Sequence, residues 1–369
     1  MDTPSQPPNA TNATNATNAE GLGGTDREGF VAFERGEYRV ARDIWEALAE
    51  AGSAWAQLGM GILYAEGLGL EADAGRAREY WTQAAEQGLS DASFNLGVMA
   101  EKADPADTGA ARDWYRRAAE AGHVVAQNNL AVLLLNQGGE AAAKEAVQWW
   151  KRSAERGDPD ALNSLGVVHQ QGTGCQRDRA AAVEYYAQAA NAGHRDAAYN
   201  LALALQQGDG VAQDLTAAVR WYRQAAEAGD PDAAANLGNL CRDGKGTQED
   251  MAEAAHWYRA AAEAGHPQAQ ANLGVMLDRG LGVPRDQTAA ARWYEASARQ
   301  GLAPAQYNLG IVLAEGDGVE VDRVEAWVWF ARAADQGHKP AAEARDYIHQ
   351  QLTPEQRAEA ETRKAEPFG

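Results

Sequence analysis

A pattern of small and apolar residues repeats along most of the chain. The pattern occurs eight times between residues 56 and 337. Equivalent positions, spaced 36 residues apart, are Ala202, Gly238, Gly274 and Gly310. A period of this length is typical of a repeat unit that buries its apolar face only against neighbouring units. The chain is therefore predicted to fold by stacking similar units side by side.

Each copy of the pattern divides into two helical segments. The first has the spacing Ala-x-x-x-Leu-Gly, as at Ala233, Leu237 and Gly238, and positions four apart share one helix face. We name this segment helix A. The second, helix B, carries an aromatic pair such as Trp257 and Tyr258. Adjacent helical residues point about 100° apart, so we expect one ring on its own helix A and the other on the next repeat.

Glycine-rich loops separate the two helices. In the seventh copy Gly280 and Gly282 are followed by Asp286. Glycine ends a helix by adopting positive φ, and aspartate caps the start of the next one. The second and third copies depart from this pattern, because residues 101–108 lack the Gly-x-Gly sequence. This irregular stretch continues to Trp150.

The ends of the chain differ from the repeats. Residues 1–24 contain consecutive Asn-Ala-Thr triplets, a composition that predicts a disordered low-complexity tail. Residues 25–53 match the pattern only in part and are predicted to form an N-terminal capping helical unit. The repeat solenoid is assigned to residues 54–339 and the C-terminal capping helices to residues 340–369.

Charge and cysteine content restrict the partners and the compartment. The formal net charge of −20 disfavours nucleic acid and favours a basic protein or peptide. Cys175 and Cys241 lie two repeats apart, about 20 Å at one helix diameter per repeat, so both are predicted to be free thiols. Without a signal peptide or a membrane span in the sequence, we expect a cytoplasmic protein.

One polar column lies two residues before the helix A glycine. Its members are Asn95, Asn129, Asn200, Asn236, Asn272 and Asn308. Gly59 and Ser164 occupy the same position in the remaining copies. An amide both donates and accepts, so a ladder of amides about 10 Å apart is predicted to bind the backbone of an extended partner peptide. The alternative is that each amide bonds a backbone carbonyl in an adjacent repeat.

Other candidate sites have less support. A histidine column comprises His123, His194, His266 and His338. Its members are too far apart to share a metal ion, so we expect surface loop residues. Trp55 and Trp327 lie outside the aromatic column and are either exposed interface anchors or core residues. The sequence contains no catalytic or phosphate-binding motif, and we predict no catalytic site, cofactor or metal.

The repeated phrase resembles a known family. Its consecutive parts are Ala-x-x-Asn-Leu-Gly, Gly-x-Gly-Val-x-x-Asp and Ala-x-x-Trp-Tyr-x-x-Ala-Ala-x-x-Gly. These resemble the Sel-one-like repeat family, a relative of the tetratricopeptide repeat, over roughly residues 54–350. The resemblance implies an all-α fold, a right-handed α/α superhelix whose A helices line a concave groove, and an adaptor role. Tetratricopeptide grooves use asparagine at the matching place.

These observations give three hypotheses for function. The first is a non-enzymatic scaffold, monomeric without its partner, that binds a protein or peptide along the concave groove. The second comes from a few members of the resembled family and is a secreted-type β-lactam hydrolase or cell-wall-linked enzyme; those members have regular cysteine pairs, which this chain lacks. The third is a regulatory subunit that docks through its convex or terminal surfaces, where residues 101–150 are of most interest.

Overall fold

The computed structural model of the chain describes residues Gly24 to Glu366, and its regular secondary structure in that range is α-helical. The predicted tail therefore lies outside the described residues, apart from Gly24, which begins the first helix. Contacts divide the chain into two compact units, one ending at Asp178 and the other beginning at Arg179.

The first unit contains the N-terminal cap and the repeats up to the fourth helix A. Its helices are α1 (Gly24–Glu34), α2 (Tyr38–Glu50), α3 (Ala54–Glu66), α4 (Ala74–Glu86), α5 (Ser90–Glu101), α6 (Thr108–Glu120), α7 (Val124–Gln137), α8 (Glu140–Ala154) and α9 (Pro159–Gln171). Each helix packs against the next one along the chain, as stacking of helix-turn-helix repeats requires.

The second unit continues the same order of packing. Its helices are α10 (Arg179–Asn191), α11 (Arg195–Gln207), α12 (Leu215–Glu227), α13 (Pro231–Asp243), α14 (Met251–Glu263), α15 (Pro267–Arg279), α16 (Gln287–Arg299), α17 (Ala303–Glu315), α18 (Arg323–Asp335), α19 (Lys339–Gln351) and α20 (Pro354–Ala365). The last helix packs back on α18. The prediction of an all-α fold made of helix-turn-helix repeats is confirmed.

Glycine and aspartate set the helix boundaries as the sequence predicts. Helix α15 ends at Gly280, whose φ is +69°, and the Asp286 carboxylate accepts a hydrogen bond of 2.9 Å from the Ala289 N–H at the start of α16. The same aspartate cap begins other B helices, at Asp73, Asp107, Asp214, Asp250 and Asp322. In the irregular third repeat, two consecutive glycines, Gly138 and Gly139, connect the longer helices α7 and α8.

In repeats with a helix A glycine, the second aromatic ring of the pair rests on that glycine. A Cβ atom placed on Gly274 would lie 2.7 Å from the Tyr294 ring, and the same distance separates such an atom on Gly238 from the Tyr258 ring. In these repeats the two helices therefore approach too closely for a larger residue at this position. The predicted packing of this ring on its own helix A is confirmed.

The first ring of the pair follows the prediction less well. Trp257 is 9% exposed, as a packing role requires. Trp329, however, lines a cleft together with Ala291 and Glu295 of α16, in the preceding repeat. The expectation that this ring faces the next repeat is wrong for α18, where it faces the preceding one.

The second glycine of each Gly-x-Gly loop makes a contact between repeats. Gly282 has a φ of +67°, and a Cβ atom there would overlap the backbone of Met251, the first residue of α14 in the preceding repeat. Gly210 approaches Arg179 in the same way, and Gly318 approaches Gln287. Each such loop therefore sits directly on the first turn of the preceding helix B.

Buried glutamines connect the repeats through hydrogen bonds. The Gln270 amide donates to the Ala262 carbonyl at 3.2 Å, and Gln300, at the end of helix B, donates to the Gln270 side-chain oxygen at 2.8 Å. In the third repeat Gln127 makes the first of these bonds, but its Oε1 is buried without a donor among the described residues. In this repeat Arg156 occupies the register position of Gln300, directly before the glycine that follows helix B, so the pair of glutamines is not formed.

Replacing Gly282 with alanine tests the contact between loop and helix. We expect a loss of several kcal/mol in the free energy of unfolding, because the methyl group would meet backbone that cannot rotate away. The matched control is Gly265→Ala, where φ is +90° but nothing lies within 4 Å, so only the positive-φ cost of about 1 kcal/mol applies. Urea unfolding followed by circular dichroism gives both values, and equal losses would contradict the role of close approach.

Replacing Arg156 with glutamine tests the incomplete hydrogen-bond chain. We expect the free energy of unfolding to rise by about 1 kcal/mol, since the new amide can donate to the Gln127 oxygen as Gln300 donates to Gln270. The reverse change, Gln300→Arg, serves as the control in the seventh repeat and is expected to lower stability by a similar amount. Chemical unfolding of both variants checks the pair; no gain in the first would argue against the interpretation.

Candidate peptide-binding face

The A helices expose one side to solvent, which we call the A-helix face. On α13 it consists of four positions, Asp232, Asn236, Asn239 and Asp243, none of which is buried. Residues with offsets of 0, 4, 7 and 11 lie on one side of a helix with 3.6 residues per turn. The alanines and leucines between them are buried. The A-helix face thus comprises the same four positions on every helix A.

The asparagine column occupies the second position of the A-helix face. Asn129, Asn200, Asn236, Asn272 and Asn308 are half-buried, and Asn95 is buried, with 9% exposure. Asn95 and Asn129 belong to the first unit and the other four to the second. The structure therefore places all six amides at one register position, and their role in binding stays a prediction.

Tyrosine hydroxyls of helix B lie against this column. The Tyr222 hydroxyl donates to Gln206 Oε1 at 2.6 Å within its own repeat and also interacts with the Asn236 amide of the next repeat. Burial raises the pKa of Tyr222, so the phenol remains protonated at neutral pH. Because the Tyr222 proton is directed to Gln206, the phenol oxygen can act only as an acceptor toward Asn236.

Two further tyrosines likewise donate within their own repeat and interact with an asparagine of the next repeat. Tyr115 donates to Glu101 at 2.7 Å and interacts with Asn129, while Tyr258 donates to Asn239 Oδ1 at 2.8 Å and interacts with Asn272. Burial raises the pKa of Tyr258 to about 12. These amides thus each interact with a tyrosine hydroxyl of the preceding repeat.

The first and third positions of the A-helix face have their own chemistry. The third position is mostly apolar, with Ile62, Val98, Val132, Val167, Leu203, Val275 and Ile311. The first position is acidic in four repeats, with Asp91, Asp160, Asp196 and Asp232. The face therefore presents carboxylate, amide and aliphatic groups in adjacent rows, a combination suited to a basic, partly apolar chain.

The histidine column has a role that the sequence interpretation missed. His266 precedes α15, and its Nδ1 accepts a hydrogen bond of 3.1 Å from the Ala269 N–H. The same bond occurs at His123, His194 and His338. The expectation of surface loop residues is therefore wrong, because the neutral imidazole supplies an acceptor and caps helix A. A signal was present, since Ser53, Asp158 and Asp230 occupy the same position.

Two of these histidines also reach the A-helix face of the preceding repeat. His266 Nε2 lies 3.3 Å from an oxygen of Asp232, and His123 Nε2 lies 4.0 Å from an oxygen of Asp91. His123 also stacks on Phe94 at 4.5 Å between ring centroids. Burial lowers the pKa of His123 and the Asp91 carboxylate opposes that shift. The neutral form that caps the helix is thereby favoured.

The remaining candidates are structural. Trp327 is 5% exposed and belongs to the core around α18 to α20, so it is not an exposed anchor. Trp55 is half-buried against Phe30, with 6.2 Å between ring centroids.

Cys175 and Cys241 are both free, as predicted, and burial raises the pKa of Cys241 to about 12. Residues 24–366 contain no cluster of three or more histidine, cysteine, aspartate or glutamate side chains suited to a metal ion.

The repeat geometry defines a helical-repeat protein. A model of the Sel1 repeat matches eight consecutive segments, residues 56–89, 90–123, 124–158, 159–194, 195–230, 231–266, 267–302 and 303–338. The chain therefore belongs to the Sel1 repeat family. Proteins of this family generally serve as scaffolds for protein–protein interaction.

Solved structures agree with this assignment. A protective antigen of uropathogenic Escherichia coli with an SLR fold is 28% identical to this chain. The match covers 93% of this chain and 84% of the antigen, with a TM-score of 0.56. A Sel1 repeat protein from Oxalobacter formigenes is 30% identical to this chain. The match covers 60% of this chain and 87% of that protein, with a TM-score of 0.53. No curated protein matches the chain. None of the helices in the described range has the length and apolar content needed to cross a bilayer.

Replacing His123 with asparagine tests the histidine cap. Because burial lowers the pKa of His123, the folded state binds fewer protons than the unfolded state, and stability is lost as pH falls below about 6.5, the unfolded value. Asparagine caps a helix at any pH. We expect the wild type to lose about 1 kcal/mol more than the variant between pH 7.5 and pH 5.5, measured by urea unfolding. His256→Asn, a change in mid-helix, is the control; equal losses in all three proteins would refute the cap.

Proposed function

We propose that the chain is a non-enzymatic scaffold that binds an extended segment of a partner protein along the A-helix face. Membership of the Sel1 repeat family supports this proposal, because the fold is typically non-enzymatic and generally mediates protein interaction. The β-lactam alternative has less support, since it derives from members with regular cysteine pairs and both cysteines of this chain are free.

The half-buried asparagine column carries the proposal. An amide has two N–H donors and one acceptor oxygen, and the Tyr115 hydroxyl engages at most one donor of Asn129. The remaining donor and the oxygen suit a peptide backbone, which offers one N–H and one carbonyl per residue. Successive amides are about 10 Å apart, one helix diameter, which three residues of an extended chain can span.

Charge indicates the nature of the partner. Four repeats place an aspartate at the first position of the A-helix face, and the whole chain has a formal net charge of −20. A basic segment would be attracted to such a face and would be oriented by it. We further propose a monomer in the absence of the partner and a cytoplasmic location, the latter because free thiols suit a reducing compartment.

A displayed library of random peptides, selected on the immobilised chain, tests the proposal. Peptides that bind the wild type are measured again with the triple variant Asn236→Ala, Asn272→Ala and Asn308→Ala. We expect affinity to fall at least tenfold, because three hydrogen bonds of about 1 kcal/mol each are removed.

The matched control is the double variant Tyr222→Phe and Tyr258→Phe. It removes the tyrosine hydrogen bonds within two repeats and the hydroxyl interactions with Asn236 and Asn272 of the following repeats but keeps every amide of the column. We expect both variants to lose some thermal stability and only the asparagine variant to lose peptide affinity. If both lose affinity equally, or neither does, the amides serve packing alone and the proposal fails.

A further inference from the structure

Helix α7 differs from the other A helices in what it exposes. Val125 and Val132 occupy the first and third positions of its A-helix face and are 45% and 39% exposed. They are seven residues apart, about 10 Å along a helix axis, and Asn129 lies between them on the same side. The face of α7 is therefore an aliphatic patch around one amide.

This patch is more than scattered surface hydrophobicity. The other strongly exposed large apolar residues of the described range, Val40, Leu281, Val321 and Tyr347, occur singly on different elements. Isolated exposed apolar residues are normal, whereas grouped ones mark interaction sites. Two on one helix face, next to an amide, thus point to an occupant for this part of the face.

Acidic residues flank the patch on both sides. The helices before and after α7 along the row of A helices are α5 and α9, and their first positions hold Asp91 and Asp160. Asp160 is exposed, and the Asp91 side chain is 22% exposed. At a spacing of one helix diameter, about 10 Å, between successive A helices, each carboxylate lies about three extended residues from the valines.

We propose that Asp91, Val125, Val132 and Asp160 form a subsite for an extended peptide with one aliphatic residue and a lysine or arginine three residues away on each side. The aliphatic side chain contacts the two valines, Asn129 bonds the backbone beside it, and the two cations pair with the two aspartates. This subsite rests on the proposed function and states what sequence its first unit selects.

Charge favours this occupant over a second copy of the chain. A copy would bring the same carboxylates against Asp91 and Asp160, and its net charge of −20 repels another copy. A basic helix would instead need its cations about seven residues apart on either side, because a helix rises only 1.5 Å per residue. The spacing of the cations in the probe peptide therefore discriminates between the two partner conformations.

The experiment measures fluorescence anisotropy of the full chain with labelled acetyl-Arg-Gly-Ser-Leu-Gly-Ser-Arg-amide. The comparison peptides replace both arginines with glutamate or the leucine with glycine. We expect each replacement to weaken binding at least tenfold. We further expect the variant Asp91→Lys with Asp160→Lys to reverse the preference and bind the glutamate peptide more tightly, which simple loss of folding cannot produce.

Two further variants separate the subsite from general effects. Val125→Ser with Val132→Ser is expected to abolish the advantage of leucine over glycine in the peptide. Val40→Ser, at another exposed valine, and Asp113→Lys, at an exposed aspartate of α6, are the controls and should change affinity less than twofold. The single variant Asp160→Lys repeats the charge-reversal test without changing Asp91, which lies beside the His123 cap.

The outcomes distinguish this inference from the proposed function. The subsite is overturned if the arginine peptide does not bind, if the charge variant fails to reverse the preference, or if only a helical peptide with wider spacing binds. In each case the asparagine triple variant can still reduce affinity for library-selected peptides, and the proposed function then stands. If the arginine peptide does not bind and the asparagine triple variant also leaves the affinity for selected peptides unchanged, both proposals fail.

Discussion

The fold depends on close backbone approach at glycine. Within a repeat, Gly274 lets the Tyr294 ring lie against the backbone of helix A. Between repeats, Gly282 lets a loop rest on the first turn of α14, and its positive φ turns the chain toward helix B. Both contacts exclude a Cβ atom, so each fixes a short distance between elements. The repeats are thereby held in a register that larger side chains would not permit.

Hydrogen bonds between repeats build on this close packing. The Gln270 to Ala262 bond and the Tyr222 to Asn236 interaction both join one repeat to its neighbour, one inside the stack and the other at the A-helix face. A buried polar group that is satisfied strengthens a unique arrangement, while an unsatisfied one weakens it. The missing donor at Gln127 thus lowers the stability of the third repeat within the stack. The same repeat exposes Val125 and Val132.

Much of the fold follows from the sequence because it depends on backbone rules. Positive-φ glycines such as Gly280 and aspartate caps such as Asp286 are local features that recur at fixed spacing. The histidine caps were missed because a cap at His266 depends on the tautomer and rotamer of one ring. The direction of Trp329 and the exposure of Val132 depend on neighbouring repeats, and no periodicity within one repeat specifies them. The asparagine column was visible in the sequence, whereas its tyrosine partners required coordinates.

In the proposed function the asparagines both pack against tyrosines and bind a partner, and this dual use limits what they can contribute to specificity. An amide such as Asn129 is already oriented by the Tyr115 hydroxyl, so it meets a partner without losing rotamer entropy. Backbone bonds made by such an amide are the same for every peptide sequence. Selection among partners must therefore come from the first and third positions, where repeats differ most between aspartate, valine and other residues. A packing role shared by several repeats and the proposed recognition role, which varies between repeats, can thus coexist on one helix face.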